Sequence, residues 1–375
     1  MALSAPGFPL PVRRTLSRAV RRPSWLALGG LAALSVFGIA PPERVGYLVL
    51  LASALAFGLP HGAIDHLALA RIGVARSRPL VATGLLYALA GGAYVVFWAF
   101  APAPAFVLFV ALTWAHWGQG DLHAALAFAG RTHLRTRGQR ALCLVVRGGL
   151  PMLVPLLAFP GVYETVAREV VAVFDPAAAR ALAAAVPTRP GVRRAAGLAF
   201  GSLSVAALAL GYVRAASLHG TGTGDGAGSE PGTATATPVA DAADARRAWR
   251  IDAAETLLLW TYFLAVPPVL AIGLYFPLWH SLRHVARLVA LDGSDALRRG
   301  AVGPAFARFA REAAPLTAVA ACLLVALSVV RPPATLAGVA ARYLVVLAAL
   351  TPPHVAVVAA MDRAQGVWMP APTAR

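Results

Sequence analysis

The chain has 375 residues, 59% of them hydrophobic and 13% charged, and its 33 Lys plus Arg against 16 Asp plus Glu give a formal net charge of +17. A mean hydropathy of +0.69 excludes an ordinary soluble domain and indicates an all-α polytopic membrane bundle. Every basic residue is Arg, and the excess is read as charge facing anionic lipid at the cytoplasmic side of a bilayer, not as a nucleic-acid surface.

At the N-terminus, Arg13, Arg14, Arg18, Arg21 and Arg22 precede the apolar run Trp25–Ala40. This pattern predicts a cytoplasmic tail over 1–23 followed by a retained signal-anchor helix. A bilayer core takes about 20 apolar helical residues. Apolar runs suggest spans near 24–40, 46–70, 79–101, 104–128, 141–159, 194–213, 255–276, 314–330 and 335–360, with a shorter piece at 277–291. Together they make a bundle of about eight to ten transmembrane helices. The runs show no period-two alternation, so helices and not barrel strands are expected. Arg-rich loops at 71–78 and 131–140 fall on the inner side, and the APAP stretch at 101–104 falls on the outer side. Residues 218–248, rich in Gly, Thr, Ala and Asp, cannot bury enough surface to order themselves. They are expected to form a flexible connection within 214–250, between membrane halves at 24–213 and 251–363, with a C-terminal tail at 364–375.

Seven of the nine histidines lie in or against apolar runs. Ionisable side chains at membrane depth are costly and mark functional sites. His280 and His284, four apart in WHSLRH, share one helical face. His61 sits in LPHGAIDH with Asp65 one turn onward, placed to hydrogen-bond a ligand histidine from another helix and fix its tautomer. His116 lies between Trp114 and Trp117, close to Gln119 and Asp121. His61, His116, His280 and His284 are therefore the expected metal ligands. Asp65, Asp121, Tyr275 and His354 are the expected supporting groups around them, with His354 also open as a fifth ligand. His66 points away from His61, His123 lies nearer the basic loop, and His133 and His219 fall in polar stretches. An all-imidazole donor set in apolar surroundings suits iron, copper or zinc and not magnesium or calcium. These features lead to a membrane metalloenzyme or haem protein acting on a hydrophobic molecule, with a carotenoid-binding or transport protein as the non-enzymatic alternative. A di-iron desaturase would typically carry HH pairs, and the sequence has none.

In their order, the segments GLPHGAIDH (58–66), AHWGQGD (115–121), FPLWHSLRH (276–284) and TPPHVAVVAAMD (351–362) resemble those of the Brp/Blh family of membrane β-carotene 15,15′-dioxygenases. The resemblance implies an Fe(2+) enzyme that cleaves the central double bond of β-carotene with dioxygen, giving two retinal. It also implies a multi-pass protein of the cell membrane, linked to a microbial rhodopsin through retinal supply. Carried over, the iron ligands fall on His61, His116, His280 and His284.

Overall fold

The computed structural model describes residues 8–75, 77–128, 130, 133–185, 189–217, 238–292 and 295–369. They form helices and no strands. The long helices are α1 (10–36), α2 (Glu43–Arg71), α3 (Pro79–Phe100), α4 (Pro102–Ala127), α5 (Arg137–Ala158), α6 (Pro160–Ala172), α7 (Pro176–Ala185), α8 (Pro190–Ser217), α9 (Pro238–Ala265), α10 (268–291), α11 (Val302–Val330) and α12 (Leu336–Ala364). Seven of them, α3, α4 and α6 to α10, begin on a proline. The missing N–H there would have had no intrahelical partner in any case. A capping box between Thr136 and Gln139 starts α5.

Among the described residues, α2, α3, α5, α8, α11 and α12 are long and apolar enough to cross a membrane. The spans expected at 24–40, 104–128 and 255–276 fall outside that set. Helix α4 carries His116, Gln119, Asp121 and His123, and its C-terminal half is largely buried in the bundle. The 255–276 expectation joins two helices, because Pro267 and Pro268 end α9 at Ala265 and start α10. The short piece expected at 277–291 is the continuation of α10.

The N-terminal arginines do not belong to a free tail from residue 10 onward. Val12, Leu16 and Val20 recur every fourth residue on α1 and are buried with Ile64, Ala286 and Met361. Val367, beyond α12, is also buried, and its carbonyl accepts from Arg140 Nη1 at 2.7 Å. The expected flexible connection lies outside the described residues over 218–237, while 238–250 is the start of α9.

Helix α4 is central, packing on α5, α10 and α12. Its approach to α5 requires glycine: a β-carbon on Gly118 would collide with the Leu144 carbonyl, and one on Gly148 with the Trp114 carbonyl. The close crossing brings Asp121 of α4 within ion-pair range of Arg147 of α5.

Candidate metal centre

Three of the helices that bear these histidines, α2, α10 and α12, have an irregular or proline-marked turn near the imidazole, whereas α4 is regular around His116. In α2 a widened π-type turn at Ala54–Gly58 precedes Pro60 and His61. In α10 another, Phe276–Ser281, contains Pro277 and His280. In α12, Pro352 and Pro353 lie inside the helix immediately before His354. Such turns interrupt the backbone ladder and are common at functional sites.

The result is a cluster of five buried imidazoles from α2, α4, α10 and α12. His61 lies 4.9 Å from His354, 5.7 Å from His284, 5.8 Å from His280 and 6.4 Å from His116, centroid to centroid. His116 is 4.7 Å from both His280 and His354. The Nε2 atoms of His116 and His280 face each other at 3.0 Å. His61 Nδ1 donates to the Gly58 carbonyl at 2.5 Å, which leaves its Nε2 as the bare nitrogen. His354 Nδ1 donates to Asp65 Oδ2 at 2.8 Å, and Tyr87 Oη donates to the same oxygen at 2.7 Å.

Several ring nitrogens in this dry cluster have no hydrogen-bond partner: His116 Nδ1, His284 Nε2 and His354 Nε2. Buried polar groups are normally satisfied, and a bound cation would satisfy these nitrogens. Ligand atoms of His61, His116 and His354 lie within 4.8 Å of one another, as do those of Asp65, His284 and His354. Metal–imidazole bonds of about 2.0–2.1 Å match donors gathered this tightly. The cluster can bind a metal ion.

The structure brings the four histidines expected from the sequence into one cluster and places His354, expected as a supporting group or fifth ligand, among them, its ligand atom grouped with those of His61 and His116. Asp65 pairs with His354, and the arrangement is the carboxylate–imidazole pairing that orients metal ligands. Tyr87 was missed, since a tyrosine in an apolar run carries no distinguishing signal. Asp121 and Tyr275 are not against the imidazoles. Tyr275 stacks among Trp117, Phe263 and Trp279. Asp121 accepts from Trp279 Nε1 at 2.9 Å and Arg283 Nη1 at 3.1 Å, on the other face of α10. His123 is buried beside Phe8 and Phe128. His66 is half-buried, and His219 lies outside the described residues.

The Asp121 contacts belong to a buried ionic network. Arg147 Nη2 reaches Asp252 Oδ1 at 2.8 Å and Glu255 Oε2 at 3.1 Å, and Arg283 Nη2 reaches Glu255 Oε1 at 2.9 Å. The Arg283 guanidinium also lies 3.7 Å over the Trp279 ring. His133, expected to be solvated, is fully buried and pairs with Asp252 at 3.1 Å. Helices α8 and α9 cover it, with Gly211 and Trp249 close by.

An apolar cavity of about 430 Å³ lies against the imidazoles, lined by His61, His116, His354, Asp65 and Tyr87 together with leucines, valines and Phe276. Leu80, Val95, Val319 and Leu323, on α3 and α11, line it and are also exposed. The cavity thus opens sideways between α3 and α11, two of the helices long and apolar enough to cross a membrane.

A family model described as beta-carotene 15,15′-dioxygenase matches residues 52–362. A Halobacterium salinarum (strain NRC-1) protein named "Probable beta-carotene 15,15′-dioxygenase Blh" is 46% identical over 361 residues, 95% of either chain. "Probable beta-carotene 15,15′-dioxygenase Brp" of H. salinarum (strain R1) is 36% identical over 315 residues, 84% of this chain and 79% of the relative. No solved structure matches. The chain belongs to the β-carotene 15,15′-dioxygenase family.

Proposed function

We propose that this family member cleaves β-carotene at its central 15,15′ double bond with dioxygen, releasing two molecules of retinal within the cell membrane. The reading rests above all on one observation: of five clustered imidazoles, those of His61, His116 and His354 line an apolar cavity whose mouth lies between two helices apolar enough to cross a membrane. The resident ion in this reading is iron(II), held by His61, His116, His280 and His284, with His354, whose ligand atom lies close to those of His61 and His116, as a further donor. Bound there, iron would supply the one-electron chemistry by which dioxygen reacts with a closed-shell polyene.

The residues do the positioning. Gly58 and Asp65 fix the tautomers of His61 and His354, so that Nε2 of each is free toward the centre. Trp117 and Phe276, 5.4 Å and 5.8 Å from the His280 ring, offer flat apolar surface to the polyene beside the metal. Leucines and valines exclude water, as the reaction requires no added proton or external reductant. The C=C and O=O bonds break and two C=O bonds form, with the alkene carbons supplying the electrons dioxygen takes up. The N-terminal arginines, which lie around a pocket with Phe128 and Gly130, are assigned to the cytoplasmic face. Retinal released into the bilayer is available there to a microbial rhodopsin.

Expression in a β-carotene-accumulating bacterium tests the reading, with carotenoids extracted and separated and iron measured in the purified protein. Loss of β-carotene with retinal appearing is expected. Chelation should stop the reaction, and ferrous ion should restore it where zinc does not. Unchanged β-carotene alongside iron-loaded protein would overturn the proposed activity.

A further inference from the structure

We infer that a second cavity, walled by buried and half-buried residues, is a blind arm that receives the leading half of the carotenoid and sets which double bond lies over the metal. This rests on the proposed carotenoid substrate. The second cavity, about 150 Å³, shares Thr113, Trp117, Phe276 and Leu347 with the lipid-facing one. These four residues form a septum between the two. Trp117 and Phe276 stack 5.8 Å apart at 20°, and Phe276 lies 5.4 Å from His61. A chain passing from one cavity into the other therefore crosses the imidazole cluster at the septum.

The two arms differ in the exposure of their walls. Leu80, Val95, Val319 and Leu323, lining the first cavity, are 45 to 55% exposed. Every residue lining the second is buried or half-buried, including Tyr47, Phe106 and Tyr163. On α2, α4, α10 and α12 the lining of the arm precedes the histidine in sequence, apart from Trp117 at the septum, so these four helices run in the same sense and the arm extends from the metal site toward their N-termini. Its walls run from Phe106 to Trp117 on α4 and from Ala337 to Leu347 on α12. At the helical rise per residue, each is about 15 Å, comparable with one half of an extended carotenoid. One wall is a face of α12 whose residues recur at helical spacing, Ala337, Ala340, Ala341 and Leu344. The small alanines leave the space that the arm occupies.

A substrate entering from lipid would advance its leading ring through the septum until the closed end stops it. The length of that half alone then fixes the bond presented to the metal, whatever the trailing half carries. Two symmetric halves make that bond the central one.

The test substitutes the arm without touching an imidazole. Ala340→Phe shortens it and should halt the leading ring early. The expected result is a pair of unequal aldehydes in place of retinal, or a loss of β-carotene turnover and of carotenoid retention by about tenfold or more, with metal content retained. Tyr163→Ala lengthens the arm and serves where the first variant accumulates poorly; unequal products are again expected. Two retinal formed at the unaltered rate by metal-loaded Ala340→Phe, or by Tyr163→Ala in its place, would overturn the inference. An apocarotenoid with one intact half and a shortened other half should still yield retinal from the unaltered protein, and cleavage elsewhere would count against the arm. Should the unaltered protein retain β-carotene without cleaving it, the proposed activity fails alone, and the arm is judged by whether Ala340→Phe lowers retention.

Discussion

Helix α10 separates two buried polar regions built on opposite principles. On one side, Arg147, Arg283, Asp121, Asp252 and Glu255 set each charge against an opposite one. On the other, five imidazoles are gathered with ring nitrogens of His116, His284 and His354 unpartnered. Polarity in an apolar bundle is therefore not by itself the mark of a site. The paired region reads as a clamp on the helix that carries His280 and His284, and the incomplete region reads as a receptor for a cation.

The contrast is broken most sharply by removing an imidazole. His354→Ala should abolish retinal formation and lower bound iron as fully as His61→Ala, while the protein still accumulates in membranes; iron stoichiometry and retinal yield on the same preparation check this. Full activity in His354→Ala would return that residue to a supporting role. Arg147→Met should instead act on folding. It removes the guanidinium shared by Asp252 and Glu255, leaving them to His133 and Arg283, at a cost of about 3 kcal/mol, visible as lower thermal stability in detergent with or without added iron.

Asp65→Asn sharpens the comparison from inside the metal site. It weakens the hold on the His354 tautomer without removing an imidazole, and outer carboxylates typically contribute about 10- to 100-fold. Iron retention or turnover should fall by that order, with retinal still measurable. The smallest effect is expected at His133. His133→Ala leaves Asp252 still paired with Arg147, so a stability loss of about 1–3 kcal/mol, with iron content unchanged, should be seen in a melting curve.

The sequence made the histidines legible because imidazole is rare in apolar runs, and the spacing of His280 and His284 needed only helical geometry. What it hid were pairings across the chain. Asp65 was expected to orient a histidine on another helix, yet its partner lies 289 residues away, beyond reach of any local pattern. Asp121 sits one turn after Trp117, close to His116 in sequence, but the Gly118 and Gly148 crossing turns it toward Arg147 instead. His133 looked solvated because its neighbours are arginines, and only the packing of α8 and α9 buries it. Val12, Leu16 and Val20 held a readable helical stripe that the surrounding arginines obscured. The break at Pro267 and Pro268 was also written in the sequence, where continuous hydrophobicity outweighed it.

The mouth between α3 and α11 has a kinetic consequence. In the proposed reading, an enzyme entered from the side meets its substrate at a surface density and not a bulk concentration, because the carotenoid would not pass through water. Adding empty lipid to proteoliposomes at constant total carotenoid should slow the reaction, whereas diluting the same vesicles with buffer should leave the rate per enzyme unchanged.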